Sequence, residues 1–300
     1  MKKIVLCGCA AMLVVSGLGT LAGAAIVPDR FEVRIIATDL MQPKGIDTAL
    51  HRAGIGPAGD GLFIAESGAN RIVRIDPDTG DMSVVADTLG SFPVGVACYG
   101  GPFDQNMYVG NAFFGGIVKI DPDGNTSIFA MPNLGIAGMD FGKGPFGADL
   151  YAGEWASGNI WRIDRQGNVT LFTTLPQCQT RYLRFSHGGD FGNFLYVTDF
   201  ITGDIYRVDP TGAFTRFAGT GSPCLEGLDF SFGGAFGKYL YTGDVCTGDL
   251  FRVAPDGTVE LWASGFDGVA DIHFEPGKMG GATMYFVDGR SSVFAIHRVE

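Results

Sequence analysis

Short apolar runs of four to six residues, alternating or continuous and divided by turn residues, recur along this chain with a regular period. In each copy an apolar pair ends in an aromatic ring and an acid or amide follows three residues later. In five copies a further strand ending in a cation comes next. The aromatic anchors are Phe63, Tyr108, Tyr151, Tyr196, Tyr241 and Tyr285, spaced 45, 43, 45, 45 and 44 apart. A period of that length holds four short strands, which predicts six β-propeller blades.

The fifth copy reads as Gly227 to Ser231, Tyr239 to Gly243, Asp249 to Val253 and Val259 to Ala263, four strands in sequence. Turns divide the third strands from the fourth: DPDTG at Asp76, DPDG at Asp121, DRQG at Asp164, DPTG at Asp209 and APDG at Ala254. Proline presets one dihedral, the acids bond the turn backbone and the final glycine supplies positive φ, so these are hairpins and not phosphate loops. The sixth copy stops after its third strand, Ser292 to Glu300. FEVRIIA at Phe31 to Ala37 resembles the fourth strands of the other blades, so the N-terminal strand is expected to complete the last blade and remove a free sheet edge.

Composition fits this all-β reading, with 24 Phe and 47 Gly in 300 residues and 18% charged. Residues 1–25 stand apart: Lys2 and Lys3 precede an apolar run from Ile4 to Val15, and a small-residue region ends near Ala24 and Ala25. They read as a signal peptide, with residues 26–300 as one propeller, secreted or periplasmic after cleavage. The stretch before Cys9 is short for a lipoprotein box, and no membrane span is expected in the mature chain. Loss of the two lysines takes the formal charge from −11 to −13, which disfavours nucleic acid and is compatible with divalent cations or neutral ligands. Cysteines remain at 98, 178, 224 and 246. Cys178 and Cys224 occupy equivalent connections and are the favoured disulfide, with Cys224 to Cys246 as the rival pairing and Cys98 as a buried thiol.

Propeller ligands are expected at the mouth of the central channel, on the face carrying the loops that lead into each innermost strand. The residues ending the second strands there are Glu66, Asn111, Glu154, Asp199, Asp244 and Asp288. A residue repeated in every blade primarily serves every blade, here by bonding the tight loop that follows. Glu226 with Asp199 and Asp244 is nevertheless the candidate calcium (Ca2+) site. The cations Arg74, Lys119, Arg162, Arg207 and Arg252 read as a ladder of ion pairs with those acids, and Phe103, Phe146, Phe191 and Phe236 as packing residues.

Departures from the repeat carry the functional expectations. The heads of the inner strands are Lys44, Val94, Ala137, Arg181, Glu226 and Ala270; three residues further in stand Asp47, Ala97, Asp140, Arg184, Asp229 and His273. Lys44, Arg181, Arg184, Glu226, Asp229 and His273 are expected to form one polar constellation for a carboxylate or sugar ligand, with His273 and Asp229 as catalytic candidates. The alternative is mutual neutralisation in a narrow wet channel. Phe113, Phe114, Trp155 and Phe200 follow second strands on the same face and suggest an aromatic patch for a small molecule, carbohydrate, peptide or protein. His51 and His187 are expected in connections on the opposite face and His297 is near the terminus, so none of the three is a strong catalytic candidate.

FLYVTDFITGDIYRVDPTG (Phe194 to Gly212) and NMYVGNAFFGGIVKIDPDG (Asn106 to Gly124) resemble the repeats of NHL and SMP-30/gluconolactonase-like six-bladed propellers, over residues 31 to 300. That resemblance implies the fold, and among possible activities a calcium-dependent lactonase or esterase, a lyase, or a pure interaction module such as an envelope scaffold. Lactonases of this kind place Asn or Asp before the glycine that opens certain inner strands. Here Lys44, Val94, Ala137 and Glu226 stand there, and Glu226 alone suits a ligand role. The paired histidines of streptogramin lyases have no counterpart. The expectation from the residues is therefore a monomeric binding protein acting at the channel mouth, with a lactonase or esterase as the competing class.

Overall fold

The structure, a computed structural model, describes residues 25–48, 60–87, 92–97, 103–113, 116–133, 135–176, 179–276 and 282–299. Its strands form six antiparallel four-stranded sheets. Blade 1 comprises β2 (Pro43–Thr48), β3 (Leu62–Glu66), β4 (Arg71–Ile75) and β5 (Met82–Asp87). Blade 2 runs from β6 (Pro93–Ala97) to β9 (Thr126–Ala130), blade 3 from β10 (Ile136–Phe141) to β13 (Val169–Thr174), blade 4 from β14 (Thr180–Phe185) to β17 (Phe214–Gly219) and blade 5 from β18 (Leu225–Phe230) to β21 (Val259–Ala263). Blade 6 takes β22 (Asp271–Pro276), β23 (Ala282–Val287) and β24 (Val293–Arg298), and its outermost strand is β1 (Phe31–Ala37). Antiparallel pairing of Phe31 with Arg298 and of Val33 with Ile296 closes the ring as expected. A bridge between Ile26 and Ser264 ties the chain ahead of β1 to blade 5.

The core lies between blades. The second strands of blades 3, 4 and 5 are wholly buried, and their anchors Tyr151, Tyr196 and Tyr241 donate to the backbone carbonyls of Phe146, Phe191 and Phe236. Edge-to-face ring contacts fill the wedge between neighbouring sheets, as for Tyr196 against Phe217 and Phe230. Turn aspartates behave as the sequence indicates: Asp76 Oδ1 accepts from the amides of Asp78 and Thr79, and Gly80 has φ +78°. Those bonds to its charged form hold the Asp76 carboxyl below its usual range.

Three expectations change. In blade 5 the inner strand begins at Leu225, two residues early, because its register shifts between Leu225 and Leu228. The repeated third-strand cations do not pair with the second-strand acids, since each stands opposite the aromatic anchor, away from the acid's end of the strand; in blade 1 a different third-strand cation, Arg71, pairs with Glu66. Arg162 pairs instead with Asp149 at 2.6 Å and Arg252 with Glu260 at 2.6 Å, while Arg207 lies over the Phe194 and Phe217 rings. Finally, the disulfide joins Cys224 to Cys246, with Cα atoms 5.9 Å apart, so the Cys178 to Cys224 pairing is not formed. The Val245 amide donates to the Cys224 carbonyl at 3.1 Å, which seats the loop after β19 (Leu240–Asp244) beside the head of β18. Cys178, Cys98, His51 and Phe114 lie outside the described residues.

Candidate functional site

Blades meet at the axis through close backbone approach. One position below the strand heads stand Gly45, Gly95, Gly138 and Gly227, and a Cβ added to Gly138 would lie 2.5 Å from the Tyr182 Cα. One added to Gly227 would lie 2.3 Å from the Asp271 Cα. Tyr182 and Asp271 are the two non-glycine members of this row, and they decide how the channel is divided.

Tyr182, in blade 4, is fully buried and its hydroxyl donates to the Lys44 carbonyl of blade 1, the blade on the opposite side of the ring. The side chain therefore crosses the axis. Beside it, Arg184 Nη2 lies 3.7 Å from Asp271 Oδ2, and Arg184 Nη1 donates to the Met139 and Leu183 carbonyls at 3.0 and 3.2 Å. Burial pulls the Arg184 guanidinium down, and Asp271, Asp140, Asp229 and Asp47 together more than reverse it. The Asp271 carboxylate accepts from the amides of Ile46 at 3.0 Å and Ile272 at 2.9 Å. Burial pushes its carboxyl up to about 7 against the opposing pull of Arg184.

The expected single constellation is thus split by this floor. Above it, at the mouth, are Lys44, Glu226 and Arg181. Lys44 Nζ lies 3.3 Å from Glu226 Oε2. The Arg181 guanidinium packs on two rings, its carbon 4.3 Å from the Trp155 ring centroid and 4.0 Å from that of Phe200. The Trp155 and Phe200 amides donate to the Gly135 and Gln179 carbonyls, which hold both ring-bearing loops against inner-strand heads. Phe113 contacts Trp155 at 6.0 Å between centroids and Phe92 at 5.1 Å, so the rings form an arc from blade 2 to blade 4. Phe92 escaped the sequence reading because it precedes an inner strand and does not follow a second one.

Below the floor, His273 Nδ1 lies 3.4 Å from Asp47 Oδ1 and 3.7 Å from Asp229 Oδ2, and Nε2 lies 2.9 Å from Thr48 Oγ1. Thr48 Oγ1 donates to Glu275 Oε2 at 2.6 Å. Burial lowers the His273 imidazole, and Glu275, Asp47 and Asp229 raise it further than burial lowers it. Asp229 is already engaged, accepting from the amides of Phe230 and Phe274 at 2.8 Å each. Asp140 likewise joins blade 3 to the Phe185 amide of blade 4. Asp271, Thr48 and Glu275 were not singled out from sequence; Asp271 had one available signal, an acid where four other blades carry glycine.

The calcium candidates do not converge. Asp199 Oδ1 accepts from the Gln179 and Ile201 amides and Oδ2 from the Thr202 hydroxyl. Asp244 Oδ1 accepts from the Cys246 and Thr247 amides at 2.7 and 2.8 Å, and Oδ2 from Ser222. Glu226 is held by Lys44. Among the described residues one group of metal-ligating side chains gathers closely, Cys224, Asp244 and Cys246, and its sulfurs are bonded to each other. These residues do not fit calcium, and the acids act as loop anchors.

A cleft of about 290 Å³ opens elsewhere, on the opposite face, lined by residues including Lys143, Phe185, His187, Asn193 and Phe194. Burial and Lys143 lower the His187 imidazole, which stacks on Phe232 at 4.9 Å. Among the described residues no buried, unpartnered polar atom belongs to this cleft; the three that occur are Arg181 Nε and Asn111 Oδ1 on the mouth side and His273 Nδ1 in the chamber.

No protein-family model matches the chain, and no curated protein is similar to it in sequence. Its fold is shared with solved six-bladed propellers of the gluconolactonase and streptogramin B lyase kinds. It is similar to virginiamycin B lyase from Staphylococcus aureus, at 16% identity over 90% of this chain and 100% of that one, with a TM-score of 0.62. It is similar to a gluconolactonase from Xanthomonas campestris, at 14% identity over 89% of each chain, with a TM-score of 0.66. The likeness bears out the resemblance at the level of fold. Among the described residues no helix is long and apolar enough to cross a membrane.

Proposed function

We propose that this chain is an exported, monomeric binding protein that receives a small ligand in the cup above Tyr182. The carrying observation is the aromatic arc of Phe92, Phe113, Trp155 and Phe200 around Arg181. Phe113 is 66% exposed, an arrangement that presents apolar surface to a partner instead of to the core. The leader-like N-terminus and the Cys224 to Cys246 disulfide support export to an oxidising compartment. A thermal-shift panel of neutral sugars, dipeptides, small carboxylates and lactones tests the reading. At least one class should stabilise the protein, and Phe113→Ala with Trp155→Ala should abolish that gain. A gain untouched by both substitutions places the ligand elsewhere.

A second reading is a lactone or ester hydrolase, supported by the gluconolactonase neighbours and by His273 between Asp47 and Asp229. It would use the chamber below Tyr182 and not the loop-anchoring acids. Turnover of gluconolactone by the purified protein, lost in His273→Ala, would favour it over the binding reading.

A further inference from the structure

Arg181 is 9% exposed, and among the described residues no hydrogen-bond acceptor meets its guanidinium; its Nε is buried without a partner. Other largely buried charged side chains in the channel have partners, Glu226 in Lys44, Asp229 and Asp271 in two amides each and Arg184 in two carbonyls, and His273 Nδ1, which also makes no hydrogen bond, lies 3.4 and 3.7 Å from the Asp47 and Asp229 carboxylates. A buried donor left unmet costs about 1–3 kcal/mol, more when charged, so an arginine in this state needs an explanation. The two cation–π contacts, about 2 kcal/mol each when desolvated, stabilise the charge but give the N–H groups no acceptor. Glu226 is near enough to favour the charged form but makes no hydrogen bond to it.

Geometry narrows what can fill the gap. Trp155 and Phe200 both lie against the guanidinium carbon and neither offers its N–H groups an acceptor, so what is still needed is an acceptor at the in-plane edge where those groups point. That edge presents parallel donors matched to a planar pair of oxygens. Lys44 is paired with Glu226, so among the described residues Arg181 is the cation left without an ion-pair partner in the cup, with Glu226 and Asp199 within electrostatic reach of it.

We infer that the cup binds a carboxylate-bearing ligand, with the carboxylate in the plane of the Arg181 guanidinium and the apolar remainder of the ligand on Phe113 and Trp155. This rests on the binding reading above and supplies its ligand class. Contact with the two rings restricts the guanidinium before a ligand arrives, so little rotamer entropy is lost on binding.

Benzoate and its neutral isostere benzamide, titrated separately against the full chain with tryptophan fluorescence and thermal shift as readouts, test the inference. Benzoate should bind at least about tenfold tighter, the loss expected when a charged hydrogen-bond pair is removed. Arg181→Gln should weaken benzoate by a similar factor and leave benzamide unchanged. Arg181→Lys, which keeps the charge without the fork, should fall between and remains informative if the glutamine variant fails to fold. Trp155→Phe assigns the fluorescence change to the cup. Equal binding of benzoate and benzamide, or benzoate binding indifferent to both Arg181 variants, overturns the inference. In that event a response that still depends on Trp155 leaves the binding reading standing, and no response from either probe or from the wider panel removes both.

Discussion

At the scale of single residues, one side chain closes the channel. Tyr182 stands where four blades carry glycine, and its bond to the Lys44 carbonyl separates the Arg181 cup from the His273 chamber. Gly138→Ala should destabilise the protein by about 1–3 kcal/mol, because its methyl group must displace strand backbone and not a flexible side chain. Chemical denaturation measures this, and an unchanged midpoint would contradict the packing described. Asp244→Ala should lower the melting temperature by the same amount with and without calcium, since it removes bonds to the Cys246 and Thr247 amides. A loss seen only with calcium present would restore the metal reading. The sequence showed which residues break the repeat, because repetition makes departures visible. It placed Arg181 and His273 at different depths but did not show a floor between them, because that depends on the Tyr182 hydroxyl reaching the Lys44 carbonyl across the axis.

At the scale of elements, blade count, strand order and ring closure were legible, since a fixed period and a missing fourth strand leave little freedom. The disulfide was less so: Cys178 and Cys224 are equivalent in the repeat, but Cys224 and Cys246 are seated together by the Val245 to Cys224 backbone bond. Spacing reports equivalence, and pairing requires proximity. Reduction of this bond, which closes a separation of 22 residues, should cost about 3 kcal/mol. A melting temperature unaffected by dithiothreitol would show that the loop is held by its backbone bonds alone. Deletion of residues 25–37 strips β1 from β24 and exposes an edge in blade 6. The truncated chain should melt lower and self-associate as its concentration rises, measured by light scattering; a monomer of unchanged melting temperature would contradict closure by β1.

At the scale of the whole molecule, buried titrating groups make stability depend on pH. The Asp271 carboxyl is raised from its ordinary 3.8 to about 7, so its contribution is complete below about pH 4 and is lost as pH rises through 7. The His273 imidazole is raised as well, and its contribution is complete below 6.5 and lost as pH climbs through the folded value. The turn aspartates Asp76, Asp121, Asp164 and Asp209 act the other way: their carboxyls are lowered, and their contributions are lost as pH falls below 3.8. Thermal stability should therefore peak in mild acid and decline toward pH 8, and Asp271→Asn should flatten the decline. The central claim is that the channel is two compartments divided by Tyr182, with a carboxylate site in the upper one. A crystal structure with benzoate at saturating concentration tests it most directly. The prediction is density for the carboxylate within hydrogen-bond distance of Arg181, above the Tyr182 ring. Density below that ring beside His273, or in the cleft beside Lys143 and His187 alone, would contradict it.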